Sequence, residues 1–150
     1  MRKVMNGMLA LGMVMAVGFI NVNAQDVSDA DIKNYAIIEL AKNSIIDGIS
    51  PMVNEMIEKQ EGMTGQRYQE LQGDGGDAAK LATIEAQDWE IQFYKLVDKQ
   101  IEKKKSAATD VVKLLASNAM GAASYKATKA AIDADPAVKA KFEGFLAAFQ

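Results

Sequence analysis

Apolar residues in the first half of the chain recur at Ile38, Ile45, Ile49, Met52 and Met56, in steps of seven, four, three and four. That spacing is the stripe of one amphipathic helix and not the alternation of a strand. Ser28 followed by Asp31 supplies its start, because the hydroxyl accepts from a free backbone N–H while the carboxylate reaches back to the cap. Gly48, Ser50 and Pro51 interrupt the stretch, since proline lacks an N–H and crowds the preceding turn. They would allow a stop and a Ser-capped restart with Pro51 at the first helical position. The stripe keeps its phase across the proline, however, which favours one kinked helix over 29–61.

A second stripe passes through Leu81, Ile84, Ile91, Tyr94, Val97, Ile101, Ala108, Val111 and Leu115, separated only by steps of three, four and seven. Asp77 caps its start and Gly121 ends it, predicting a helix over 78–120 that is roughly 60 Å long at ~1.5 Å per residue. A rival boundary lies at Ser106, which can cap a new helix behind Lys103, Lys104 and Lys105 at a negative helix end. Between the stripes, Gly62, Gly65, Gly73, Gly75 and Gly76 predict a flexible connector over 62–77, with a turn or two from Arg67 to Gln72. The Gly73–Asp77 stretch has a superficial likeness to a calcium loop but lacks alternating oxygen ligands and a closing Glu. Two short helices follow, over 124–134 with Ser124 as cap and over 136–149 with Asp135 as cap and Pro136 at its first position. Val138, Phe142, Phe145, Leu146 and Phe149 lie mostly on one face of the last. The fold class expected is all-α: a long antiparallel helical hairpin, kinked at the proline, with two short C-terminal helices packed on it.

The segment before these helices has the three zones of a secretory signal. Arg2 and Lys3 give a positive start, Met8 to Ile20 carry no charge, and Val22-Asn23-Ala24 is a cleavage-like triplet. Cleavage between Ala24 and Gln25 is expected over an uncleaved anchor, because the apolar run is short of the ~20 residues a spanning helix needs. Residues 25–150 then form a single helical domain, periplasmic or extracellular, with no membrane span. Loss of Arg2 and Lys3 from 17 basic residues, against 20 acidic ones, takes the net charge from −3 to −5. An acidic chain lacks the cationic surface that releases counterions from nucleic acid, so no nucleic-acid partner is expected.

Composition narrows the chemistry further. There is no Cys and no His. Disulfide staples, Cys nucleophiles, His-dependent triads and the usual zinc sets are therefore excluded, and no metal or other cofactor is expected. Glu85 and Asp88 stand one turn apart with Glu90 close by, but carboxylates on an acidic helix surface do acid–base work only inside a cleft that shifts their pKa values. The expectation is a non-catalytic protein that binds another envelope protein or itself. Its candidate surfaces are the offset pair Trp89 and Phe93, which otherwise form a second buried face, and the run Lys103, Lys104 and Lys105. That run is a solvated helix face or a peripheral envelope contact for anionic glycans or lipid headgroups. A holdase is the alternative, on the adaptable side chains of Met52, Met56, Met63 and Met120.

Both ends of the helical region carry a likeness. The stretch Val27-Ser28-Asp29-Ala30-Asp31-Ile32-Lys33-Asn34-Tyr35-Ala36, with Tyr125 followed ten residues later by Asp135-Pro136, resembles the bacterial domain-of-unknown-function family four-one-six-eight. The resemblance implies a short, exported, helical protein without an assigned activity. Lys126 and Thr128 stand where that family usually has Asn and an aliphatic residue. On their own chemistry, Ser28, Asp31, Tyr35, Tyr125, Asp135 and Pro136 are expected to serve structure: caps, a chain turn, and an amphipathic ring seating a short helix.

Overall fold

A computed structural model describes residues 27–73 and 76–149. Its regular structure among those residues is helical throughout: α1 Asp29–Asp47, α2 Ile49–Lys59, α3 Gly65–Gly73, α4 Ala78–Thr83, α5 Asp88–Ala119, α6 Ala122–Ala134 and α7 Pro136–Ala148. Ala24, Gln25 and the preceding residues expected to direct export lie outside the described residues, as do Asp74 and Gly75 of the connector.

The starts follow the sequence closely. Ser28 Oγ accepts from Asp31 N at 3.1 Å and the Asp31 carboxylate accepts from Ser28 N, a full capping box on α1. Asp77 caps α4 through Ala79 N and Lys80 N, and Asp135 caps α7 through Ala137 N at 2.7 Å with Pro136 behind it.

Several boundaries differ from the expectation, each for a physical reason. The helix expected over 29–61 is interrupted at Gly48. Pro51 has no N–H for the Asp47 carbonyl, so the hydrogen-bond ladder lapses there and resumes with Met52 N donating to Gly48 O. Gly48 keeps right-handed backbone angles, which is why the apolar stripe holds its phase through the gap. The connector expected over 62–77 contains α3, whose Tyr68 and Leu71 are buried. The helix expected over 78–120 is broken at 84–87, where Glu85 takes φ +51°, a left-handed value unusual for a side chain with a Cβ. Ala86 N donates back to Leu81 O and Glu85 N to Ala82 O, which closes α4 in the manner of a Schellman end. Beyond Gln87, α5 runs unbroken through Ser106. α6 begins at Ala122 behind Gly121, whose φ of +80° favours glycine, so Ser124 sits inside its first turn and is not its cap.

Packing divides the apolar side chains between two clusters. In the first, Met63, Tyr68, Leu71, Leu81, Phe93 and Val97 are buried, with Val53, Ile57 and Ile101 against them, so α2, α3 and α4 close on the early part of α5. In the second, Ile32, Tyr35, Ala131, Ile132 and Val138 are buried beneath Met120, Tyr125, Phe142 and Phe145, joining α1 to α6 and α7. α1 and α5 pack on one another, with the small buried residues Ala36, Ala108 and Ala116 on the two helices. Asn34 Nδ2 donates to Ala119 O at 3.2 Å, and Lys141 reaches Asp29 at 2.7 Å. Leu71 and Val97 are fully buried, and truncating Leu71 to Ala would cost about 2–5 kcal/mol by lost burial and cavity formation.

Candidate functional site

Polar side chains of the kinds that do chemistry are gathered at two places, and both hold helices together. Arg67 of α3 lies between the end of α4 and the start of α5. Its Nε and one terminal nitrogen donate to the Glu90 carboxylate at 2.7 and 2.8 Å, and that terminal nitrogen also reaches Ile84 O at 3.1 Å. Glu90 is only 6% exposed, and it accepts from Gln87 N at 2.8 Å as well, completing a capping box on α5. Hydrogen bonding from Arg67 holds the Glu90 carboxyl below its ordinary range, against the opposing effect of burial. Of the three carboxylates considered for acid–base work, Glu90 is thus spent on Arg67, while Glu85 and Asp88 are exposed.

At the second place Tyr35 and Tyr125 meet. The rings of Tyr35 and Tyr125 have centroids 4.9 Å apart, and Phe142 packs edge-on to Tyr35 at 5.6 Å. Tyr125 Oη donates to Glu39 at 3.0 Å, and Glu39 is also paired with Lys42. Burial, reinforced by Glu39, pushes both phenols above their usual range. Raised phenols stay protonated and are poor nucleophiles, so the arrangement suits support of α6 on α1 better than catalysis. Ser28, Asp31, Asp135 and Pro136 are the caps already described. Thr128, close to Tyr125 on α6, is 1% exposed and its hydroxyl has no hydrogen-bond partner.

The proposed partner surface is divided by the structure. Trp89 is exposed and rests on Gly62, where an added Cβ would stand 3.4 Å from its ring. Its indole donates to Gln87 Oε1 at 2.7 Å. Phe93 instead turns into the first cluster, edge-on to Tyr68, so it is covered by α3. Lys103 and Lys105 are exposed, whereas Lys104 is half-buried, because consecutive helical residues fan around the axis. Lys105 is engaged by Glu102 at 2.8 Å. Among the methionines, Met63 is buried, and Met56 and Met120 pack against the two clusters.

Large apolar side chains exposed beyond those expected from the sequence are Leu96 and Leu114, on the same helix as Trp89, and Ile37 and Ile46 on α1. Leu96 lies seven residues after Trp89, and that repeat was the signal available for it. Surface grooves are open and shallow. One of about 350 Å³ lies between α2, α3 and Ile101, with Tyr68 and Gln72 in its wall. Another of about 350 Å³ is lined by Gln60, Trp89, Gln92, Phe93 and Leu96. Among the described residues no three acidic side chains converge as metal ligands, and no helix is long and apolar enough to cross a membrane. Comparison of the chain with protein-family models, curated proteins and solved structures finds no match.

Proposed function

We propose that this chain is exported, performs no chemistry of its own, and acts by contact with another envelope protein or with a second copy of itself. The observation that carries the reading is the set of large apolar side chains left on the surface, while Glu90, Tyr35 and Tyr125 are tied into supports. Trp89, Leu96 and Leu114, on α5, are 36, 49 and 61% exposed. Ile37 and Phe149 are exposed elsewhere, Lys33 standing over the Phe149 ring at 5.9 Å one turn before Ile37. Large apolar side chains held on the outside of a helix offer contact area to a partner.

In this reading α1, α2 and α5 are the arms of an antiparallel hairpin that seats α6 and α7, and the meeting of Tyr35 with Tyr125 supports kinship with family four-one-six-eight. Export is supported by the basic start, the charge-free Met8–Ile20 run and the Val22-Asn23-Ala24 triplet. A holdase has less support, because Met63 is buried and its fellows are partly covered. Size-exclusion chromatography with crosslinking, and recovery of partners from the native envelope, test the proposal. A crosslinked assembly is expected; a strictly monomeric protein that recovers nothing would end it. Intact-mass analysis of the released protein is expected to start at Gln25.

A further inference from the structure

Lys95, Lys99 and Lys103 follow one another at four-residue steps along α5, so they form one exposed ridge. Like charges at that spacing repel along a helix. Asp88 and Asp98 share this stretch of the helix but form no ion pair with the three lysines, while Glu102 pairs with Lys105 and Asp110 lies 3.6 Å from Lys113. Among the described residues none of the three makes an ion pair. Beside the ridge runs the apolar line of Trp89, Leu96 and Leu114. Their separations of seven and eighteen residues are about two and five helical turns, and Lys103 falls on the same line, about two turns beyond Leu96. A groove of about 280 Å³ opens there between Gln100, Lys103, Lys104 and Ala107, while the Trp89 groove lies nearer the start of the helix. A straight face of α5 therefore offers unpaired cations alongside an aromatic and two aliphatic groups, on a chain whose net charge is −3.

Three occupants can be weighed. A polysaccharide would answer the lysines and leave Leu96 and Leu114 in water. A second copy packed about a two-fold axis through Lys99 would set that lysine against its own copy. An anionic bilayer answers both features, since its phosphates neutralise the ridge and its headgroup boundary takes tryptophan and leucine. We infer that this side of α5 lies along the surface of an anionic lipid bilayer, with Lys95, Lys99 and Lys103 toward the headgroup phosphates and Trp89, Leu96 and Leu114 at the acyl boundary. The inference rests on the reading of the chain as a protein that works by contact. It assigns α5 to lipid and leaves Ile37 and Phe149 for protein.

Trp89 is the single tryptophan of the chain and sits on the proposed surface, so its fluorescence reports contact directly. The protein as isolated from its cell is titrated with vesicles of phosphatidylcholine alone and of equal parts phosphatidylcholine and phosphatidylglycerol, with co-sedimentation as a second readout. A shift of Trp89 emission to shorter wavelength is expected with the anionic vesicles, weakening as salt is added. The triple variant Lys95→Gln, Lys99→Gln, Lys103→Gln, checked for unchanged helical circular dichroism, is expected to bind about 100-fold more weakly, at about fivefold per lysine. Because it differs in three side chains only, any contribution from other segments cancels. No shift with anionic vesicles, or equal binding by the variant, overturns the inference. So does a shift that follows protein concentration without lipid, which would mean that a second copy covers Trp89. Crosslinked assemblies that persist when vesicle binding fails would sink the lipid assignment alone and leave the protein-contact reading standing.

Discussion

Replacing Thr128 by Val should stabilise the protein, although it alters one of its most deeply buried side chains. Thr128 is 1% exposed, and its hydroxyl is buried without a hydrogen-bond partner on α6, between Tyr125 and Ile132. Leaving such a group unpaired costs about 1–3 kcal/mol of desolvation. Valine has nearly the same shape and a similar helix propensity, so backbone terms almost cancel. The extra methyl adds up to about 0.8 kcal/mol of burial, less whatever repacking its larger size imposes. The net expectation is a gain of about 1 kcal/mol, or an increase in Tm of about 4 °C for a domain of this size. Thermal unfolding followed by circular dichroism measures it, with Thr128→Ser as the control that keeps the hydroxyl and loses the methyl. The predicted order of Tm is Val, then Thr, then Ser. A valine variant less stable than the parent, with serine equal to it, would refute the reasoning, since the hydroxyl must then be bonded, for instance to the carbonyl one turn back.

Other consequences can be tested alongside. Arg67 depresses the Glu90 carboxyl in the fold, so its stabilising effect is present above the ordinary Glu range near pH ~4.3 and is lost as pH falls through the folded value. Glu90→Gln should flatten the acid limb of a Tm-against-pH curve, and an unchanged limb would contradict the assignment. Tyr35, Tyr68 and Tyr125 are raised chiefly by burial, so unfolded chains ionise first and stability should decline as pH rises above ~10. In a Tyr94→Phe variant, which leaves only these three phenols, tyrosinate absorbance in a pH titration should therefore appear together with unfolding and not before it. Glu85 pays for its left-handed backbone, so Glu85→Gly should raise stability by about 0.5–1 kcal/mol in urea unfolding. Gly62→Ala should lower it by about 1 kcal/mol and alter Trp89 emission, because Gly62 has φ +80° beneath the indole ring.

Local chemistry was the legible part of this fold. Ser28–Asp31, Asp77 and Asp135–Pro136 announce helix starts because a cap is a short-range contact, readable within four residues. The break at 84–87 hid behind a step of seven from Ile84 to Ile91, which a continuous helix and an interrupted one satisfy equally. The Gln87–Glu90 box was its available sign. α3 was obscured by its flanking glycines, although Tyr68 and Leu71 stand three residues apart as a buried helix face requires. Long-range pairings were out of reach, since periodicity places a residue on a face but not against a partner. Nothing local joins Arg67 to Glu90, or Tyr35 to Tyr125. The candidate surface shows the same limit: three adjacent lysines draw the eye, yet the helix spreads them apart and makes its cationic ridge from Lys95, Lys99 and Lys103.

The claim that the protein works through exposed apolar contacts is tested most directly by photo-crosslinking inside the native envelope. A photoreactive residue is placed at Ile37 and at Leu114, with the exposed Ala140 as reference. The account predicts protein adducts from Ile37, lipid or protein adducts from Leu114, and none above background from Ala140. A folded protein that yields no adduct from either apolar position, or yields as much from Ala140, would contradict it.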